Sequence, residues 1–177
     1  SEKDVEALRI PDVDESLGYV LDAIKIVKGE LNNSIPLIGF AGAPLTVLAY
    51  LVDGGGSKTF SETRKLLYTR PDLAHIALQK ITDTTILYLK RQIEVGANLV
   101  QLFDSWAGIF STQQYNAFGI PYLAQIADAI ENAPVTLFAK GACFSYKELA
   151  KTSCQTIGVD WNTPIDFALQ HTGNKTL

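Results

Sequence analysis

Four short apolar runs recur along the chain, and helical patterning separates each from the next: Ile35-Pro36-Leu37-Ile38-Gly39-Phe40, Asn98-Leu99-Val100-Gln101-Leu102-Phe103-Asp104, Val135-Thr136-Leu137-Phe138-Ala139 and Thr156-Ile157-Gly158-Val159-Asp160. Strands joined through helices pair in parallel with right-handed crossovers. A nearly continuous apolar run such as the first reads as a strand buried on both faces. No Gly-x-Gly-x-x-Gly follows that run, so a dinucleotide-binding Rossmann sheet loses its main support. Small or polar residues come directly after every run: Ala41-Gly42, Asp104-Ser105, Lys140-Gly141 and Asp160-Trp161. In a (β/α)8 barrel these are the mouth positions where chemistry sits. A whole barrel takes about 250 residues and eight strands. Four strands in 177 residues therefore predict an α/β chain forming part of a (β/α)8 barrel, a single incomplete barrel domain over 1–177.

The helices between the strands carry their own punctuation. Asp12 caps a helix reaching Glu30, with Leu17, Val20, Leu21, Ile24 and Val27 at helical spacing. Pro44 opens the next helix where a missing N–H costs nothing, and Gly54 begins its stop. Thr59-Phe60-Ser61-Glu62 reads as a capping box for a helix that ends near Arg70, since Pro71 follows. A long helix runs from Pro71 to Val95 and closes at Gly96, and Pro121 to Glu131 forms another with Leu123, Ile126, Ala127 and Ile130 inward. Ser145-Tyr146-Lys147-Glu148 reads as a second capping box.

Composition narrows the function classes. Apolar residues make up 47% and charged residues 19%, which is globular and not disordered. A net charge of −4 gives no electrostatic footprint for nucleic acid. No run approaches the roughly 20 apolar residues that cross a bilayer. Cys143 and Cys154 do not make a disulfide framework, and with His75 and His171 they lack the spacing of a zinc site. These features predict a reducing, cytoplasmic compartment. The chain opens on Ser1-Glu2-Lys3-Asp4, with no initiator Met and no basic-then-apolar leader, the start expected of a processed product or a fragment.

Chemistry is densest between Gly39 and Ser57. Small residues let backbone approach a ligand, and the helix opening at Pro44 offers N–H groups to an anion. Tyr50, one and a half turns into that helix, can donate a hydrogen bond while presenting an apolar ring; on pattern alone it is equally a core tyrosine. Gly54-Gly55-Gly56-Ser57-Lys58 has the wrong order for a phosphate-binding Gly-Lys-Ser/Thr loop. Asp104 is open to a structural pairing with a basic neighbour, Ser105 to capping the turn after it, and His75 reads as structural.

This stretch resembles the uroporphyrinogen decarboxylase family. Gly39-Phe40, Pro44, Thr46, Tyr50 and Gly54-Gly55-Gly56-Ser57 fit one of its signatures, with Leu45 where an aromatic is usual and Asp53 where Glu is commoner. Leu67-Tyr68-Thr69-Arg70-Pro71, Gln101-Leu102-Phe103-Asp104-Ser105-Trp106-Ala107-Gly108, Phe118-Gly119-Ile120-Pro121-Tyr122 and Gly158-Val159-Asp160-Trp161 continue the match in one register. The resemblance implies a (β/α)8 barrel, usually a homodimer, that works without metal or organic cofactor. The implied reaction removes the carboxyl groups of the four acetate side chains of uroporphyrinogen, a tetrapyrrole, to give coproporphyrinogen on the route to haem. Protonating a pyrrole ring makes the electron sink, and the protein adds charge placement. By the same resemblance Tyr50 and Ser105 are the catalytic hydroxyls contacting substrate, and Phe103 is a substrate-binding residue. The family's Arg-Gln-Ala-Gly-Arg signature, its pyrrole-binding Asp and its C-terminal His find no match, so the chain alone is expected to be inactive.

Three other readings compete. Lys140, just past a strand, is placed as a Schiff-base lysine would be. A corrinoid-linked methyltransferase shares the fold, but its zinc-binding His-x-Cys falls where this chain has Phe138-Ala139-Lys140-Gly141. A non-catalytic piece of barrel would expose sheet edges and self-associate.

Overall fold

The computed structural model describes residues 2–177. Two helices, α1 (Glu2–Ala7) and α2 (Val13–Leu31), precede strand β1 (Ile38–Gly42). Helices α3 (Pro44–Asp53), α4 (Ser61–Thr69) and α5 (Pro71–Glu94) lead to β2 (Leu99–Asp104). Helices α6 (Thr112–Phe118) and α7 (Ile120–Ala129) lead to β3 (Val135–Ala139), and the short α8 (Tyr146–Leu149) leads to β4 (Thr156–Gly158) and α9 (Ile165–His171). The strands form one parallel sheet in the order β1-β2-β3-β4. Sequential parallel strands with helical crossovers are the repeating unit of a (β/α)8 barrel, and this is a four-stranded portion of one.

Helices cover one face of the sheet. Gly39, Ala41, Val100, Leu102, Asp104, Leu137, Ala139 and Ile157 turn toward them and are buried. α5, the longest helix, lies across β1 and β2 and packs on α2, α3, α4 and α7. On the other face β1 is open, with Ile38 exposed and Phe40 60% exposed. The first strand is therefore not buried on both faces as its apolar run predicts. Only Gly39 and Ala41 face helices, and their small size lets α5 approach closely. An added Cβ on Gly39 would lie 2.7 Å from Gln92 Oε1. That Gln92 amide accepts from the Phe40 N–H at 3.0 Å and donates to the Phe40 carbonyl at 2.9 Å, satisfying backbone on the side of β1 away from β2. At the other edge, the Ile157 N–H donates to the Thr176 carbonyl at 2.9 Å.

Neither predicted capping box forms. α4 starts at Ser61 with no side-chain cap from its N-cap, Phe60. Its orphan N–H at Thr63 instead donates to Asp53 Oδ2 at 3.0 Å, reaching back to the end of α3. Ser145 donates to the Ala142 carbonyl at 2.6 Å inside a 3-10 turn, because the chain there is too tightly wound for its hydroxyl to reach forward. A capping box does form at Ser111 and Gln114, opening α6. Asp12 caps α2 as its position predicts, accepting from Glu15 N–H at 3.1 Å.

Candidate active site

The mouth of the sheet is built where β1 feeds α3 and where β2 ends. Pro44 stands at the first turn of α3 and Gly54 closes the helix with φ 75°. Ala43, Pro44, Leu45 and Thr46 are all buried, so the start of α3 is closed to solvent. The expected anion site at that N-terminus is not open, because Thr46 turns inward to a carboxylate. Tyr50, one turn beyond Thr46, is 40% exposed.

That carboxylate is Asp104, the last residue of β2 and 1% exposed. Thr46 Oγ1 donates to Oδ1 at 2.6 Å, and the Tyr115 hydroxyl donates to Oδ2 at 2.9 Å. Its partners are thus hydroxyls from α3 and α6, not the basic neighbour that sequence left open. Burial pushes the Asp104 carboxyl up to about 6, against the two hydroxyl donors that favour the anion. Burial likewise pushes the Tyr115 phenol well up, and the Asp104 charge beside it adds to that.

Ser105 and Trp106 follow directly. Ser105 is half-buried. The Trp106 N–H donates to Thr46 Oγ1 at 3.2 Å, and its indole Nε1–H donates to the Tyr50 hydroxyl at 2.7 Å. The structure thus ties Tyr50, on α3, to the residue after Ser105, just past the end of β2. Phe60 supports the pair from beneath. It is fully buried, with its ring 5.9 Å from that of Tyr50 and 4.8 Å from that of Trp106. Phe60 holds a left-handed backbone, φ 45°, which costs a side-chain-bearing residue about 1–2 kcal/mol. Ser57 Oγ, at the end of the glycine run, accepts from the Phe60 N–H at 3.1 Å and helps hold it there. The glycine run and Ser57 therefore turn the chain so that Phe60, at the N-cap of α4, reaches the pair.

Phe103 lies on the open sheet face in a row of rings. It meets Phe40 edge-on at 5.8 Å and Phe138 at 5.9 Å. The registers that set Gly42 beside Phe103, Phe103 beside Phe138, and Phe138 beside Gly158 put this row at the mouth end of the sheet. Farther round, the Gly141 N–H donates to Asp160 Oδ2 at 2.5 Å, and Gly108 packs against Gly141 so closely that a Cβ would come within 2.7 Å of its carbonyl.

Sequence reasoning missed Thr46, Phe60, Trp106 and Tyr115 as parts of this assembly. The signal for one of them was present: Thr46 stands four residues before Tyr50 on the same helix and shares its face. His75 accords with its structural reading, its ring stacked on Phe118 at 4.7 Å and Nδ1 2.7 Å from the Tyr122 hydroxyl. Lys140 is exposed, without the apolar pocket a Schiff-base lysine relies on. A separate cavity of about 430 Å³ lies beside β1, lined by Arg9, Phe40, Val47, Leu51, Lys80 and Tyr88. Its Lys80 Nζ is engaged by the carbonyls of Val5, Glu6 and Leu8, each at 2.9 Å. Among the described residues no cluster of His, Cys, Asp and Glu suits a metal ion, and no helix is long and apolar enough to cross a membrane.

The family model for uroporphyrinogen decarboxylase matches residues 1–177. A protein named uroporphyrinogen decarboxylase from Christiangramia forsetii is 48% identical over 162 residues, covering 91% of this chain and 48% of its own length. Its namesake from Yersinia pseudotuberculosis is 42% identical over 178 residues, covering 97% of this chain and 50% of its own. The chain spans about half the length of the curated relatives it matches. A solved methyltransferase from Methanosarcina mazei superposes with a TM-score of 0.83 at 20% identity, over 97% of this chain and 51% of that one. That likeness is one of fold.

Proposed function

The chain belongs to the uroporphyrinogen decarboxylase family, and on that premise we propose that it supplies the hydroxyl-donor part of a site that decarboxylates the acetate side chains of uroporphyrinogen. Tyr50 and Ser105 hold substrate carboxylates, and Phe103 bears on the macrocycle. The observation that carries the reading is the Trp106–Tyr50 hydrogen bond of 2.7 Å. It joins the helix bearing Tyr50 to the strand end bearing Ser105, two residues past Phe103.

In the reaction a proton added to a pyrrole carbon makes the ring an electron sink. The bond between the acetate methylene and its carboxylate breaks, the electron pair enters the ring system, and carbon dioxide leaves. Protonation of the exocyclic carbon then completes a methyl group, and loss of the proton first added to the ring carbon restores the aromatic pyrrole. A hydroxyl donor to the carboxylate orients the breaking bond and holds the charged side chain in register. No ligand set for a metal or organic cofactor is invoked in these steps.

Uroporphyrin, the stable oxidised macrocycle with the same carboxylates, tests the reading. Titration into this chain is expected to quench Trp106 fluorescence saturably, and Tyr50→Phe is expected to weaken binding. Loss of one hydrogen bond to a charged group is worth about 1.5–3 kcal/mol. Failure of the unaltered chain to bind would overturn the proposal. Because the family's Arg signature and pyrrole-binding Asp find no match on this chain, it is expected to form no coproporphyrinogen by itself; measurable product would refute that part.

A further inference from the structure

An indole N–H donates and never accepts, whereas a phenol does both. In the contact between Trp106 and Tyr50 the Tyr50 oxygen is therefore the acceptor, and its own hydrogen must point elsewhere. Tyr50 is 40% exposed, and among the described residues its hydroxyl donates to no protein group, which leaves that hydrogen free for water or a ligand. Trp106 is itself anchored. Its backbone N–H donates to Thr46 Oγ1 at 3.2 Å, and the Thr46 hydroxyl donates on to Asp104 Oδ1 at 2.6 Å. With Tyr115 filling Oδ2, the carboxylate ends the run and fixes its direction. Thr46 and Tyr50 stand four residues apart on α3, on one face. Trp106 spans both, with its backbone on the first and its ring on the second. The buried Phe60 ring wedges against Tyr50 and Trp106.

We propose that Trp106 is a positioning residue whose two-point clamp on Thr46 and Tyr50 presets the Tyr50 hydroxyl as a hydrogen-bond donor toward a ligand carboxylate. The proposal rests on the decarboxylase reading and adds to it the group that orients the hydroxyl. Without the clamp, an exposed phenol divides its time between donating to water and accepting from it, and a ligand must bear the cost of ordering it.

Trp106 and Trp161 are the two tryptophans of the chain, and Trp161 is 90% exposed. In a chain labelled with ¹⁵N at the indoles, the Trp106 proton is expected downfield of the Trp161 proton and slower to exchange. Tyr50→Phe should move it toward the Trp161 position. In uroporphyrin titrations, Trp106→Phe should weaken binding roughly five- to tenfold. Trp106→His, which keeps a ring N–H, should restore most of that. Adding Trp106→Phe to Tyr50→Phe should cost nothing further, since the clamp acts only through the phenol. An indole proton indifferent to Tyr50→Phe overturns the clamp. So does a loss from Trp106→Phe that persists undiminished in the Tyr50→Phe background, which would mark simple packing. An unaltered chain that binds no uroporphyrin overturns the functional reading instead, and the indole proton alone then decides whether the clamp exists.

Discussion

Asp104→Asn separates the charge of the buried carboxylate from its shape. Burial raises the Asp104 carboxyl from 3.8 to about 6 in the folded chain, a change that corresponds to about 3 kcal/mol at 1.36 kcal/mol per pH unit. The folded state holds this proton more tightly than the unfolded state does, so between those two values it carries more protons. Stability must then fall as pH rises through that window and stay lower above it. Asn has no proton to lose. Its carbonyl can accept from Thr46, and its amide can donate to Tyr115 once that hydroxyl turns to accept. Any fixed penalty of the replacement is the same at every pH. Urea unfolding of both chains, followed by far-ultraviolet circular dichroism from about pH 4 to about pH 7, reads the difference directly. The variant should gain about 2–2.5 kcal/mol on the parent across that range, since the parent has already lost about half a kcal/mol at pH 4, with contributions from other titrating groups cancelling. A difference that stays flat, or that moves in the parent's favour, would show that Asp104 ionises as readily in the fold as out of it.

Tyr115→Phe leaves Asp104 Oδ2 without its donor at 2.9 Å and should destabilise the chain by about 1–3 kcal/mol above the carboxyl's titration and by less below it; denaturation at both ends of the range checks this. Gly39→Ala places a Cβ 2.7 Å from Gln92 Oε1, pushing that amide off the Phe40 backbone, and should cost about 1–3 kcal/mol, seen as a lowered melting temperature with Phe40 amide exchange accelerated. The open face of β1, with Ile38 and Phe40 exposed, should make the isolated chain associate with itself as concentration rises; light scattering behind size exclusion reads it, and a monomer at every concentration would refute it. Phe40→Ser should weaken that association.

Periodicity and punctuation made the strand–helix alternation legible, because each strand is bounded by turn chemistry and each long helix by Pro or Gly. β3 matches its apolar run, Val135–Ala139, and α5 begins at Pro71 as the break requires. The helix caps were not legible in the same way. Thr59-Phe60-Ser61-Glu62 has the right spacing for a box, yet Asp53, ten residues back, takes the Thr63 N–H. A local pattern competes there with a partner that only the folded chain brings near. Tyr50, Ser105 and Phe103 were named through family likeness; Trp106, though inside one of the matched runs, and Phe60 were not, since nothing in either residue type marks it as a partner of Tyr50. What places them is a contact between α3, the loop before α4, and the end of β2, a long-range fact with no short-range signature.

Strand-end acids invite a catalytic reading, because the mouth of such a sheet is where chemistry sits. Here they work as ties. Asp104, ending β2, holds Thr46 on the helix that follows β1, while Asp160, just past β4, holds the Gly141 N–H on the loop that follows β3. In each case a carboxylate on one strand end fastens the element leaving its neighbour. A loop that carries donors for a ligand would otherwise have to be ordered by the ligand itself, at a cost to binding. Burial disfavours the charged form of Asp104 and raises its carboxyl, so keeping it ionised costs stability. What the carboxylate secures in exchange is a mouth in which Thr46, Trp106 and Tyr50 are already aligned. The carboxylate is linked to the Tyr50 hydroxyl only through Thr46 and Trp106, so Asp104→Ala, which removes the tie, should weaken uroporphyrin binding in titrations, and unchanged binding would show that the tie does not reach Tyr50.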